Sequence, residues 1–132
     1  MENASKAESF RKDFERLAGN IGRVIVGQRE VVEQVLLVLF AGGHALVEGL
    51  PGLGKTKLVS TLARSLSLSF SRIQFTPDLM PADITGTDVL VTGGAGAEIE
   101  FRGGRVFTIV LLAYDIIRAT PRTQSALLEA IE

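Results

Sequence analysis

Residues 49 to 56 read Gly49-Leu50-Pro51-Gly52-Leu53-Gly54-Lys55-Thr56. This stretch matches the pattern G-x-x-x-x-G-K-[ST] in full, and its glycines allow successive backbone N–H groups to turn around a phosphate. In that pattern the lysine ammonium reaches the β- and γ-phosphates, and the hydroxyl of the last residue is placed to ligate Mg²⁺. The stretch therefore predicts a phosphate-binding loop for a nucleoside triphosphate, with Lys55 and Thr56 in those two roles.

The flanking sequence has the strand–loop–helix order that such a loop needs. Residues 45–47, Ala-Leu-Val, form a short apolar run that predicts the first core strand. After the loop, apolar residues recur at helical spacing, at Leu58, Val59, Leu62 and Leu66. A helix beginning at the loop directs the positive end of its dipole at the bound anion. This context disfavours the alternative, a glycine-rich turn with an incidental lysine.

Composition limits the class of protein. The chain has 132 residues, a net charge of −1 and no cysteine. The length suits one domain, and the charge gives no basic excess that would indicate a nucleic-acid partner. The absence of cysteine excludes disulfides, cysteine zinc sites and thiol nucleophiles. The most apolar stretch, 35–47, is interrupted by Gly42-Gly43-His44 and is too short to cross a bilayer. The N-terminus lacks an apolar signal core, so we expect a soluble cytoplasmic protein with no membrane contact.

Helical and strand patterns alternate along the rest of the chain. Two helices precede the loop, one with the apolar stripe Phe10, Phe14, Leu17 and Ile21, and one with Val31, Val35, Val38 and Leu39 facing inward up to Gly42-Gly43. Strands are predicted at 70–75 and 106–113, the second covered on both faces, with a surface hairpin over 89–101 and a helix that opens at Thr120 and Pro121.

This order predicts an α/β fold, a P-loop NTPase-type parallel sheet flanked by helices. We expect one domain over residues 1–132, with a leading helix at 1–22 and the P-loop core at 23–132. Because the sequence ends at Glu132 inside an amphipathic helix without a stop signal, the expectation at this stage is an incomplete, truncated core.

Several segments together resemble the MoxR branch of the AAA+ ATPases. They are Val26-Gly27-Gln28 ahead of the loop, residues 43–49 (Gly-His-Ala-Leu-Val-Glu-Gly), residues 72–86 (Arg-Ile-Gln-Phe-Thr-Pro-Asp-Leu-Met-Pro-Ala-Asp-Ile-Thr-Gly) and residues 120–130 (Thr-Pro-Arg-Thr-Gln-Ser-Ala-Leu-Leu-Glu-Ala). The segment 72–86 is far more specific to this branch than the phosphate loop, which many NTPases share. The resemblance extends from about Ile21 to the end of the sequence.

The resemblance implies ATP and Mg²⁺ as cofactors and ATP hydrolysis that drives chaperone-like remodelling or metal loading of partner complexes. It also implies a ring homo-oligomer, usually hexameric, and a partner with a von Willebrand factor A domain. In that family the segment containing Val26 and Gly27 lies beside the adenine. Including the loop, the predicted nucleotide-binding residues are Val26, Gly27, Gly49, Pro51, Gly52, Leu53, Gly54, Lys55, Thr56 and Lys57.

One motif departs from the family. Family members end the next phosphate-site strand with Asp-Glu-Ile-Asn-Arg-Ala, whereas residues 114–119 read Tyr-Asp-Ile-Ile-Arg-Ala. Tyr114 stands where an Asp should hold the magnesium shell, and Asp115 stands where a Glu should polarise the attacking water. Asp115 could instead serve the magnesium role, but adjacent strand side chains face opposite ways, so a one-residue register shift would be needed. We therefore expect nucleotide binding with slow hydrolysis, and Asp115 is the one candidate catalytic and second metal residue.

Other polar residues have simpler interpretations. His44, the single histidine, is expected to pack at the start of the first strand rather than to bind a metal. Asp78 and Asp83 are expected to cap a helix rather than to form a catalytic pair. Arg118 and Arg122 are expected on the solvated surface, with a neighbouring subunit's nucleotide as the alternative. A truncated or degenerate nucleotide-binding module is the second function considered. A P-loop kinase or GTPase is the third, although the guanine-reading Asn-Lys-x-Asp is absent.

Overall fold

The computed structural model describes residues 2–49, 52, 54–94 and 96–132. They form two compact units, one ending at Leu68 and the other running from Ser69 to Glu132. The first unit contains three helices, and the second contains two two-stranded sheets with helices between them. The elements are α1 (Glu2–Gly22), α2 (Arg29–Phe40), α3 (Lys55–Ser65), β1 (Phe70–Gln74), α4 (Pro81–Thr85), β2 (Gly86–Gly93), β3 (Gly96–Gly103), β4 (Val110–Tyr114), a 3₁₀ turn (Ile116–Arg118) and α5 (Pro121–Ile131). The predicted α/β class with a parallel sheet and helices is confirmed.

The first unit is held by one apolar core between its three helices. The predicted stripe of α1 is confirmed for Phe14, Leu17 and Ile21, since Ile21 is fully buried and the other two pack against the same core, whereas Phe10 is 48% exposed. In α2 the most buried residues are Val32 and Leu36, one position away from the predicted inward face. The predicted Val31, Val35 and Leu39 flank that core, so the apolar stripe of α2 is wider than one row of residues. Leu58 and Leu62 of α3 complete the core as predicted.

The predicted strand at 45–47 is not formed. These residues have no regular secondary structure, and Leu46 is 84% exposed. A strand needs a neighbouring strand for its backbone N–H and C=O groups, and neither two-stranded sheet includes this segment. The prediction was wrong because it used only the apolar character of the segment. Among the described residues no strand pairs with it. His44, expected to pack at its start, is exposed instead.

In the second unit, β1 and β4 pair in parallel, from Phe70 opposite Val110 to Gln74 opposite Tyr114. One face of this sheet carries Ile73 into a core with Phe75 and Ile84. The predicted strand at 70–75 is confirmed over 70–74. The predicted strand at 106–113 begins only at Val110, and its residues are half-buried rather than covered on both faces.

The late start of β4 has a hydrogen-bonding cause. The N–H of Arg105 donates to the carbonyl of Asp83 at 3.3 Å, and the N–H of Val106 donates to that of Ile84 at 3.1 Å. These bonds tie residues 105–106 to α4 instead of to β1. The chain joins β1 only after a turn in which Phe107 is 68% exposed.

Two helix starts in this unit follow their predicted signals. Asp83 accepts a hydrogen bond from the backbone N–H of Met80 at 2.9 Å, so it caps α4 as expected. Thr120 caps α5 by accepting from the N–H of Thr123 at 3.4 Å, and Pro121 is the first helical residue. The hydroxyl of Thr123 donates to the carbonyl of Leu79 at 2.7 Å and thereby links the loop before α4 to α5.

The predicted hairpin over 89–101 is confirmed and is longer than predicted. Strands β2 and β3 pair antiparallel from Gly86 opposite Gly103 to Gly93 opposite Gly96. Gly86 has φ +95°, and a Cβ there would collide with the carbonyl of Arg102, so glycine is required where α4 passes into β2. Across the described residues, no helix is both long enough and apolar enough to cross a membrane.

The end of α3 gives the first prediction. Leu68 N–H bonds to the carbonyl of Ala63 at 2.8 Å and Ser67 N–H bonds to that of Arg64 at 3.2 Å, the pattern of a Schellman cap. Ser67 occupies the left-handed position at φ 53°, where glycine is unstrained. We expect Ser67→Gly to raise the free energy of unfolding by about 0.5–1 kcal/mol, the relieved strain exceeding the added freedom of the unfolded chain.

Denaturant unfolding of both proteins measures this difference. Ser67→Val is the matched control and should lower stability, because a β-branched side chain disfavours positive φ. Equal stability of the glycine and valine variants would contradict the proposed strain.

Candidate nucleotide-binding site

Two glycines of the phosphate loop, Gly52 and Gly54, adopt backbone conformations that a Cβ would strain, as the sequence predicted. Gly52 has φ +84° and Gly54 has φ +77°, both in the left-handed region. A Cβ at either position would meet nothing within 4 Å, so the requirement for glycine comes from the backbone angle and not from crowding. Leu50, Pro51 and Leu53 lie outside the described residues, so the predicted roles of Pro51 and Leu53 stay predictions.

Lys55 is the first residue of α3 and folds back over the loop. Its Nζ donates a hydrogen bond to the carbonyl of Gly49 at 2.6 Å, which brings the two ends of the loop together. The first helical hydrogen bond runs from Leu58 N–H to the carbonyl of Gly54 at 2.8 Å. The backbone N–H groups that precede Leu58 in the first turn therefore have no helical carbonyl to bond. A lysine ammonium and the start of an eleven-residue helix thus converge on one loop.

Thr56 and Lys57 follow in the first turn of α3. Thr56 is half-buried and Lys57 is exposed. A hydroxyl one residue after the loop lysine fits the donor set of a magnesium ion that also binds phosphate oxygens. No group of three or more histidine or carboxylate side chains that could hold a metal occurs in the described part of the chain. Any Mg²⁺ here would need the nucleotide to supply ligands.

A groove of about 580 Å³ adjoins the loop within the first unit. One wall is α2, with Val31, Val35 and Gln28, and the other includes residues 45–49 and Lys55. The volume lies within the usual range for small-molecule pockets, which are mostly apolar with a few polar groups. The sequence predicted that the apolar residues of α2 face the core, and their place beside the phosphate loop was missed. The only sequence signal for that place was the helical spacing of these apolar residues.

Val26 and Gly27 do not line this groove. Val26 is 80% exposed, and Gly27, at φ +78°, lies in the wall of a separate cavity of about 300 Å³ near the end of α1. Arg29 lines the same cavity and donates a hydrogen bond to Glu33 at 2.7 Å. That bond raises the pKa of the Arg29 guanidinium above its ordinary value. Only the next residue, Gln28, reaches the groove beside the loop.

Tyr114 ends β4 in the second unit. Its carbonyl accepts a hydrogen bond from Phe75 N–H at 2.8 Å, which continues the pairing of the two strands. Its ring lies under the guanidinium of Arg72, with 5.2 Å from the Arg72 Cζ to the ring centroid. Arg72 and Tyr114 are diagonal neighbours on one face of the sheet, so the cation–π contact follows from the strand register. Sequence reasoning missed this contact.

Asp115 lies outside β4. It has φ 55° and ψ 43°, in the left-handed region, and precedes the 3₁₀ turn. The alternation of strand side chains, on which the predicted register shift depended, therefore does not apply to it. Its carboxylate is 38% exposed and lies 4.0 Å from the Arg118 guanidinium, whose side chain is 58% exposed. Arg118 is thus a surface arginine, as expected. Asp115 belongs to the second unit, whereas the phosphate loop belongs to the first.

Comparisons with known proteins agree with these features. Residues 44–132 match the model of the ATPase family associated with various cellular activities, AAA. The chaperone MoxR1 of Mycobacterium tuberculosis is 47% identical over 90% of this chain, and the uncharacterised protein YeaC of Bacillus subtilis is 44% identical over 94%. A crystal structure of a candidate ATPase from Cytophaga hutchinsonii superposes with a TM-score of 0.80, at 40% identity over 99% of this chain.

The chain therefore belongs to the AAA family of ATPases, in its MoxR branch. It spans 31% of the length of MoxR1, 39% of YeaC and 40% of the Cytophaga chain. The predicted family is confirmed.

The left-handed backbone at Gly54 gives a second prediction. We expect Gly54→Ala to lower the free energy of unfolding by about 1 kcal/mol, because an L side chain is strained at φ +77°. Gly19→Ala is the matched control, since Gly19 lies inside α1 with open space around it and no positive φ. That change should raise stability by about 0.5–1 kcal/mol. Thermal unfolding of both variants tests the opposite signs, and two changes of the same sign would contradict the prediction.

Proposed function

We propose that this chain binds ATP with Mg²⁺ through the loop at residues 49–56. The observation that carries the proposal is the Lys55 ammonium folded onto the loop, 2.6 Å from the Gly49 carbonyl, at the start of α3. A cation and helical N–H groups that have no helical carbonyl partner, on one glycine-rich turn, form a site for a polyanion. Family membership supports nucleotide as that anion.

Each residue of the loop has a distinct task in this proposal. Lys55 exchanges its neutral acceptor, the Gly49 carbonyl, for charged β- and γ-phosphate oxygens, and charge-assisted hydrogen bonds are the stronger kind. The Thr56 hydroxyl would hold Mg²⁺, which would neutralise part of the phosphate charge. Gly52 and Gly54 keep the turn open for the phosphates. The nucleoside occupies the groove of about 580 Å³ beside Lys55, with Gln28 as a polar group on its wall.

Efficient hydrolysis needs positioned carboxylates as well as a bound nucleotide. The residues at the end of β4 support the proposal that hydrolysis is slow. Phosphoryl transfer depends on positioned charge around the transferred group. The strand end that should offer a carboxylate offers the Tyr114 ring instead, and that ring is engaged by Arg72. Asp115 faces Arg118 from a left-handed turn. We therefore propose a nucleotide-binding module with slow turnover as the form that this chain takes by itself.

Family membership supports the wider role, which also belongs to the proposal. The name of MoxR1 describes it as a chaperone, and we propose ATP-dependent, chaperone-like remodelling or metal loading of partner complexes for the protein of which these residues are part. Ring assembly and a partner with a von Willebrand factor A domain are further proposals on the same basis. Because the function requires ATP, the cytoplasm is the compartment we propose.

The binding proposal predicts the effect of removing the loop cation. Lys55→Ala should weaken ATP binding by about tenfold to a hundredfold, because a hydrogen bond to a charged group is lost. Isothermal titration calorimetry measures both affinities. Lys12→Ala is the matched control, a change of an exposed lysine on α1, and should leave the affinity unaltered. Equal affinity in the parent chain and Lys55→Ala would overturn the assignment of the loop.

The proposal of slow turnover predicts the effect of restoring the family residues. Tyr114→Asp combined with Asp115→Glu should strengthen the dependence of nucleotide binding on Mg²⁺. It should raise the rate of phosphate release only modestly, by about tenfold or less. The two substitutions do not supply an arginine finger, which stabilises the charge of the transition state separately. Tyr114→Phe keeps the ring beside Arg72 and should change neither property. Release near about 1 s⁻¹ by the unaltered chain, a common enzyme rate, would show that Asp115 suffices.

A further inference from the structure

The β2–β3 hairpin sorts its side chains onto two faces. The register places Leu90 opposite Ile99 and Asp88 opposite Phe101, so these side chains share one face. The apolar face, defined by Leu90, Ile99 and Phe101, is well exposed, at 65%, 74% and 55%. The opposite face carries the three charged residues of β3, which are Glu98, Glu100 and Arg102. The proposed function uses none of these side chains.

The outer edge of β3 has no partner strand among the described residues. The hairpin forms a sheet of two strands, and all eight residues of β3 are exposed. Isolated two-stranded sheets are marginally stable in water, and an unpaired edge is a template for another strand. An exposed edge next to an apolar face is therefore a surface suited to strand addition.

We propose that the β3 edge pairs with β3 of a second copy of this chain, antiparallel, with a two-fold axis at Glu100. In this register Ile99 lies opposite Phe101 of the second copy, and the reverse pair is equivalent by symmetry. Glu98 lies opposite Arg102 of the second copy, again twice. The two apolar faces join into one across four strands, and the charged faces meet with two attractive pairs. This inference stands independently of nucleotide binding.

Face matching, charge and the backbone at Gly104 each disfavour one of the neighbouring registers. A shift by one residue would join the apolar face of one copy to the charged face of the other. Centring on Ile99 would place Glu98 opposite Glu100 twice, which is repulsive. Centring on Phe101 would place Glu100 opposite Arg102 twice, but it would extend the pairing to Gly104, whose backbone already lies against the carbonyl of Ile84. Centring on Glu100 pairs residues 97–103 within β3.

The same pairing limits the strength of association. Seven residues of one edge make a smaller contact than the interfaces of stable complexes. The Glu100 side chains of the two copies also face each other, and like charges directly opposite are destabilising. We therefore expect a weak, reversible dimer, and Glu100 is the residue that opposes it.

Cysteine cross-linking tests the register directly, because the chain contains no cysteine. Residue 100 of one copy lies opposite residue 100 of the other, and directly opposed residues have Cβ atoms about 4.5–5.5 Å apart, close to disulfide distance. Glu100→Cys should form a disulfide dimer under mild oxidation at least about tenfold faster than Glu98→Cys. An equimolar mixture of Glu98→Cys and Arg102→Cys should form the mixed dimer. Equal rates for the two single variants would overturn the register.

Sedimentation equilibrium tests the association without covalent bonds. Ile99→Lys should raise the dissociation constant at least about tenfold, and Glu100→Gln should lower it about threefold or more. Leu128→Lys is the matched control, an exposed leucine on α5 outside the hairpin, and should leave it unaltered. A chain that stays monomeric at about 1 mM would overturn the proposal. So would weaker association of Glu100→Gln.

Discussion

A left-handed backbone residue precedes a helical turn both at the phosphate loop and at the end of β4, and the direction of the chain at each place depends on it. Gly54 turns the chain into α3, and Asp115 turns it from β4 into the 3₁₀ turn. Few residues tolerate this backbone region, so each position restricts the side chain that can stand there. At Gly54 the restriction leaves a loop without side-chain bulk. At Asp115 the restriction allows a short polar side chain. Because the residue lies outside β4, the alternation of strand side chains does not set its direction.

The contact between Arg72 and Tyr114 gives the tyrosine at the end of β4 a partner on its own sheet. Both side chains lie on the face of the β1–β4 sheet opposite the one that Ile73 packs into the core. A tyrosine there gains the face of its ring against a guanidinium, whereas an aspartate would form an ion pair with the same group. Arg72 also contacts the loop that precedes β4, because its carbonyl accepts a hydrogen bond from the Arg105 guanidinium at 3.0 Å. Tyr114 therefore has a partner, Arg72, that belongs to the family-like segment 72–86.

Sequence reasoning succeeded where the signal is local. The caps at Asp83 and Thr120 and the glycines of the phosphate loop follow from neighbouring residues, and the structure has them as predicted. It failed where pairing is non-local. The segment 45–47 is as apolar as a strand but has no strand beside it, and 106–109 is diverted by hydrogen bonds to α4. The cation–π contact of Tyr114 and the groove along α2 depend on register and helix packing, which no single segment encodes.

The boundary between Leu68 and Ser69 has a consequence for synthesis of the protein. Each unit is made from one continuous stretch of chain, and the elements of the first are all helices. Helical units as a class fold faster than units built on paired strands. At roughly 5–20 residues per second, the ribosome needs several seconds to complete the second unit after the first has been made. The turn that carries Gly54 and Lys55 can therefore assemble on the nascent chain while β4, with its long-range partner β1, still awaits translation.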